Sequence, residues 1–205
     1  DLSILEGDFV SIIGPSGSGK STMLHIIGCL DRPTSGKVFL EGADVSLLSD
    51  SELARVRGKK IGFVFQFFNL YPTLDALENV ELPMMILNKG KMERRKRAKE
   101  LLESVGMGDR MHHLSHQLSG GQRQRVAIAR ALANDPAVIF ADEPTGNLDS
   151  KSGEEVLRIF NELNKKGRTV VVVTHETSIA ESATTIVKMK DGLVEETTLS
   201  YFWFF

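Results

Sequence analysis

Gly14-Pro15-Ser16-Gly17-Ser18-Gly19-Lys20-Ser21 matches the pattern G-x-x-x-x-G-K-[ST], whose residue types suit the capture of phosphate. Glycines let successive backbone N–H groups curl around phosphate oxygens at a helix N-terminus, where unpaired donors and the helix dipole favour an anion. Lys20 can neutralise β and γ phosphates, and the Ser21 hydroxyl is placed to ligate Mg²⁺. Thr22 continues the run into the helix and is counted with it. The chemistry expected of such a loop is the binding of a nucleoside triphosphate.

A second group is acidic. Val138-Ile139-Phe140-Ala141-Asp142-Glu143 ends an apolar strand on two carboxylates, at the edge of a parallel sheet where ligands bind. Asp142 would hold Mg²⁺ through its water shell, and Glu143 would accept a proton from an attacking water. A third group, Leu118-Ser119-Gly120-Gly121-Gln122, opens a helix with a hydroxyl and glycine amides. It reads either as a plain helix cap or as a second anion-receiving helix end.

The elements that must carry these groups follow from periodicity. Phe9, Val10, Ile12 and Ile13 form a buried strand entering the glycine loop, and the apolar segment Met23 to Leu30 leaves it as a helix. Val38 to Leu40 and Gly42 read as a small hairpin. Ser49 with Glu52 is a capping box for a helix expected to stop at Gly58, before the strand Ile61 to Phe65. From Gln66 to about Ala133 helical spacings dominate. Ala98, Leu101, Leu102 and Val105 recur at i, i+3, i+4 and i+7, and the basic run Lys89, Lys91, Arg94, Arg95, Lys96, Arg97 and Lys99 is read as the solvated face of that helix. Strands return at Val138 to Ala141 and Thr169 to Thr174, around a helix bearing Val156, Phe160 and Leu163. Ser152 and Glu155 are its expected cap and Gly167 its stop. Ile186 to Met189 and Leu193-Val194 close as a hairpin. Strands alternating with helices predict an α/β fold on a mostly parallel sheet.

The bulk properties exclude several alternatives. The 205 residues carry 25 Lys and Arg against 27 Asp and Glu, a net charge of −2, so no global positive field is available to hold nucleic acid. The longest apolar stretches, such as Val170 to Val173, fall far short of the ~18 residues that a bilayer span needs. Cys29 is the single cysteine, which leaves no internal disulfide and suits a reducing cytoplasm. It is read as core filling.

These motifs, with His175 following Val170 to Thr174, occur in the order found in ATP-binding cassette (ABC) ATPases, which the chain resembles over nearly its whole length. The resemblance implies a P-loop NTPase core with a helical signature subdomain and a truncated antiparallel β part. Residues 1–65 would form the core with part of the β subdomain, residues 66–133 the helical subdomain, and residues 134–205 the completion of the core. Gln66 matches the Q-loop glutamine, which senses Mg²⁺ and the attacking water. Asn147-Leu148-Asp149 matches the D-loop at the dimer interface, with Asp149 among the nucleotide-site residues, and His175 matches the switch histidine on the γ-phosphate. The signature Ser119, Gly120, Gly121 and Gln122 would close over the partner's nucleotide, so two ATP molecules with Mg²⁺ sit between paired cassettes. An integral membrane permease is the further partner, which implies a peripheral place on the cytoplasmic face of the membrane.

Phe67-Phe68-Asn69-Leu70-Tyr71-Pro72-Thr73-Leu74, then Ala76-Leu77-Glu78-Asn79-Val80, and the run Asp142 to Ser150 resemble the lipoprotein-release and macrolide-export branch. The cell-division ABC ATPase, which signals through a membrane partner to cell-wall hydrolases, is the alternative. Two departures stand out. The chain opens at Asp1 without the preceding strands and adenine-stacking aromatic that the family carries, as a fragment would. It closes on Tyr201-Phe202-Trp203-Phe204-Phe205, an aromatic run that is an aggregation liability on a free chain.

Overall fold

The computed structural model describes residues 1–199, so the aromatic run Tyr201 to Phe205 lies outside the described residues. Strand β1 (Phe9–Ile13) leads through the glycine loop into helix α1 (Lys20–Ile27). A short antiparallel pair, β2 (Phe39–Leu40) and β3 (Ala43–Asp44), precedes α2 (Asp50–Lys60) and β4 (Ile61–Phe65). Three helices follow, α3 (Ala76–Ile86), α4 (Lys91–Ser104) and α5 (Gly120–Ala131). The chain then returns to the sheet with β5 (Val138–Asp142), α6 (Ser150–Lys165), β6 (Thr169–Val173), α7 (Thr177–Ser182), β7 (Thr185–Lys190) and β8 (Leu193–Leu199).

The six-stranded sheet has the order β4-β5-β6-β1-β7-β8 and is parallel except for β8, which runs antiparallel to β7. The α/β architecture is thus the expected one. Side chains alternate across each strand. Phe9, Val64, Ile139, Val170 and Val172 point to the face covered by α5, α6 and the three-helix region. Val10, Ile12, Phe140, Val171 and Val173 point to the face covered by α1 and α2. Burial on both faces explains why β6 reads as an unbroken Val run.

Three boundaries differ from the periodicity reading. α1 begins at Lys20, because the loop itself turns directly into the helix, and ends at Ile27 with Cys29 at φ +58°. α2 runs through Gly58 to Lys60, since Gly58 lacks the positive φ of a helix stop and its carbonyl is taken up by Asn134 Nδ2 at 2.8 Å. α6 is capped by Asp149, whose carboxylate accepts from the Ser152 N–H at 3.0 Å, so Ser152 lies inside the helix.

The α4 stripe holds, with Ala98, Leu101, Leu102 and Val105 buried. Its basic face is not uniformly solvated, however. Arg94 turns inward, its Nε 2.9 Å from Glu81, a carboxylate buried on α3 that Arg95 also approaches. A buried carboxylate needs such a partner. Cys29 is buried in the core, which pushes its thiol pKa up by desolvation.

Candidate functional site

The loop 14–19 turns on backbone that glycine supplies. Gly17 and Gly19 have φ of +79° and +93°, a region costly for other residues. At Gly14 a Cβ would come within 2.2 Å of the Met189 carbonyl oxygen. The Gly192 N–H donates to the Ser18 carbonyl at 3.1 Å. The β7–β8 hairpin therefore backs the loop. Sequence reading missed this support, since nothing local to Met189 or Gly192 marks it.

Above the loop lies a cavity of about 600 Å³, lined by loop residues from Gly14 to Gly17, by Gly19, Lys20, Ser21 and Thr22, and by Glu143 and His175 across the mouth. Ser18 is buried beneath it. Gly19 caps α1 with no side-chain hydrogen bond, and no acidic residue stands in the first turn of the helix, so its donors suit an anion. Lys20 Nζ donates to the Gly14 and Pro15 carbonyls, both at 2.9 Å, which keeps the ammonium folded over the loop.

The Ser21 hydroxyl donates to Asp142 at 3.3 Å, joining the loop to the end of β5. Burial pushes the Asp142 carboxyl above its ordinary pKa, opposed by the Ser21 hydrogen bond. A hydroxyl facing a carboxylate that lacks full solvation is an oxygen donor set that fits a hard cation such as Mg²⁺. Glu143 follows at φ +45°, an uncommon conformation held by its N–H bond to the Val173 carbonyl at 2.9 Å. Its carboxylate meets His175 Nδ1, and the pair raises the histidine pKa through that hydrogen bond and the glutamate charge.

A second link joins the same two segments. Thr145 Oγ1, buried, donates to Glu176 at 2.5 Å, and the Glu176 N–H donates to Thr174 Oγ1 at 3.0 Å. Thr145 and Glu176 lie 31 positions apart, so no local pattern could have revealed the pairing.

The remaining expected residues do not line this cavity. Gln66 packs its amide against Gly146, where a Cβ would lie 2.8 Å from Nε2, and its carbonyl accepts from Asn147 Nδ2 at 3.1 Å. Asp149 caps α6. Ser119 and Gln122 form a reciprocal capping box on α5, with the Ser119 hydroxyl accepting from the Gln122 N–H at 3.2 Å and Gln122 Oε1 accepting from the Ser119 N–H at 2.9 Å. Gly121 allows α6 to approach, since a Cβ there would stand 2.7 Å from Ser152 Oγ, and Gly120 faces Leu148 and Phe68.

A phosphate loop joining β1 to α1, faced by the acidic end of β5, defines the P-loop NTPase fold. A family model described as ABC transporter matches residues 1–146, and the chain belongs to that family. It is 63% identical over 194 residues to an uncharacterized ABC transporter ATP-binding protein of Thermotoga maritima, covering 95% of this chain and 83% of that one. It is 54% identical to the lipoprotein-releasing system ATP-binding protein LolD of Aquifex aeolicus, covering 94% of this chain and 86% of that one. A solved dimer of the ATP-binding cassette MJ0796 of Methanocaldococcus jannaschii, in a post-hydrolysis state bound to ADP and Pi, superposes with a TM-score of 0.88. That match has 54% identity and covers 97% of this chain and 88% of that one. The chain is thus an ABC transporter ATP-binding cassette, similar to the lipoprotein-release and macrolide-export branch. Among the described residues no helix is long and apolar enough to cross a membrane.

Proposed function

We propose that the chain is the ATP-hydrolysing subunit of an ABC transporter, pairing with a second cassette around two ATP molecules and driving a separate membrane permease from the cytoplasmic face. The observation that carries this reading is the convergence of Lys20, Ser21, Glu143 and His175 on one cavity at the end of the parallel sheet. Lys20 would exchange the Gly14 and Pro15 carbonyls for phosphate oxygens, retaining a full set of acceptors. Ser21 and Asp142 would hold Mg²⁺, whose charge neutralises the β and γ phosphates.

Glu143 would accept a proton from water as the water oxygen bonds to the γ-phosphorus and the bond to the bridging oxygen breaks, releasing ADP and phosphate. His175 holds that carboxylate through Nδ1, which leaves Nε2 for the γ-phosphate. Gln66 would sense Mg²⁺ and water only after moving from its seat on Gly146. Ser119 and the Asp149 segment would meet the partner's nucleotide, and residues 66–133 would form the helical subdomain that answers to the permease.

The test is Mg²⁺-dependent phosphate release from ATP by the chain, alongside Lys20→Ala, which should lose ATP binding. Co-purification with a permease tests the membrane partner. A folded chain that neither binds ATP nor releases phosphate would sink the reading.

A further inference from the structure

Gln124 is fully buried on α5, yet it carries a polar head. Its Nε2 donates to two backbone carbonyls, Pro144 at 2.6 Å and Phe65 at 3.3 Å, while its Oε1 is buried with no hydrogen-bond partner among the described residues. Burying an unmatched acceptor costs free energy that an apolar side chain would avoid. The carbonyls it reaches explain the choice. Phe65 immediately precedes Gln66, and Pro144 immediately follows Glu143. Phe65 and Asp142 are register partners at the carboxyl ends of β4 and β5, so one amide spans the place where both strands give way to functional loops.

The same helix grips the rest of the Gln66 segment. Arg130 donates to the Phe68 carbonyl at 2.9 Å and to the Asn69 carbonyl, and Arg123 lies 4.9 Å above the Phe68 ring. Phe68 and Asn69 both have positive φ, at +58° and +49°. Backbone in that region persists only where its surroundings hold it.

We infer that Gln124 is a positioning residue for hydrolysis, fixing the backbone beside Gln66 and beside Glu143 to the helix that begins at Ser119. The inference rests on the proposed roles of Glu143 and Gln66. Its consequence is that a displacement of α5, when Ser119 engages the partner's nucleotide, reaches both residues of the same chain through one side chain.

The experiment compares Gln124→Met and Gln124→Glu with the unsubstituted chain in kcat and in equilibrium ATP affinity. Met keeps the length without the donor. Glu, neutral against two carbonyls, keeps one O–H donor. Expected are a kcat loss of about tenfold or more for Met, on the scale of a misplaced catalytic group, a smaller loss for Glu, and ATP affinity within about twofold for both. Met turning over within about twofold of the unsubstituted chain, or kcat and affinity falling together in both variants, overturns the inference. If the unsubstituted chain binds ATP without hydrolysing it, the proposed function itself fails, and this inference with it. A hydrolysing chain with an unimpaired Met variant removes Gln124 alone.

Discussion

His175 Nδ1 lies 3.0 Å from Oε1 and 2.9 Å from Oε2 of Glu143, across the mouth of the phosphate cavity. The glutamate side chain is 18% exposed and the histidine 69%, so solvent screens the pair from one side only. The carboxylate expected to act as base is thus already held before any nucleotide arrives.

That contact has a pH signature. The Glu143 hydrogen bond, and next its charge, hold the His175 pKa above its ordinary 6.5. A folded-state value above the unfolded one means that the pair stabilises fully below about pH 6.5, while Glu143 stays ionised, and that this contribution fades as pH rises through the raised value. NMR titration should find the His175 midpoint above 6.5, falling toward 6.5 in Glu143→Gln. A midpoint unmoved by that substitution would deny the coupling.

Glu143→Gln should also separate binding from turnover. The amide keeps size and hydrogen bonding but cannot take a proton, so the rate should drop by roughly 10² to 10⁴ with ATP binding retained. Gel filtration with ATP and Mg²⁺ should then show an accumulated dimer. Near-normal turnover would remove Glu143 from the role.

Ser119 caps its own helix and is proposed to meet a phosphate of the partner's nucleotide, and two substitutions divide these duties. Ser119→Ala loses the cap and should cost about 1 kcal/mol, a drop in Tm of about 2 to 4 °C for a chain of this size. Ser119→Asp keeps a capping oxygen and should melt near the unsubstituted protein, yet its charge should abolish ATP-driven dimerisation. An Asp variant that dimerises normally with ATP would confine Ser119 to the cap.

Gly14→Ala tests the support behind the loop. A Cβ 2.2 Å from the Met189 carbonyl cannot be met by a side-chain rotation, because the obstacle is backbone. The expected result is a loss of roughly 2 kcal/mol or more, read as a lower Tm, together with weakened ATP binding. Unchanged melting would show that the hairpin does not buttress the loop.

The chemistry legible in sequence was the chemistry that is local. The run Gly14 to Thr22 carries its own turn, donors and cation within one stretch, and all but buried Ser18 line the cavity. The stripe Ala98, Leu101, Leu102 and Val105 likewise needs only helical spacing to declare its face. Contacts between distant segments left no such mark. Thr145 with Glu176, Gln124 with Phe65 and Pro144, and Arg94 with Glu81 each join positions far apart in the chain, and no local spacing pairs them. Gly58 misled for the same reason, since its stop signal yields to tertiary partners such as Asn134.

The place of β1 in the sheet sets an order of events in time. The strand carrying the phosphate loop precedes the other described strands, yet its neighbours are β6 and β7, with Phe9 opposite Val170 and Val10 opposite Thr185. Pairings of such sequence separation close slowly. Helices α3, α4 and α5 follow one another in the chain and pack on one another, so they can form first. During synthesis, β1 must therefore wait for β6, at Thr169–Val173, before a partner in this sheet emerges, and the phosphate cradle, which Met189 and Gly192 back, is completed after the three helices. Pulse-labelled hydrogen exchange during refolding should show amides of α3 to α5 protected before those of β1, and the reverse order would refute this sequence of events.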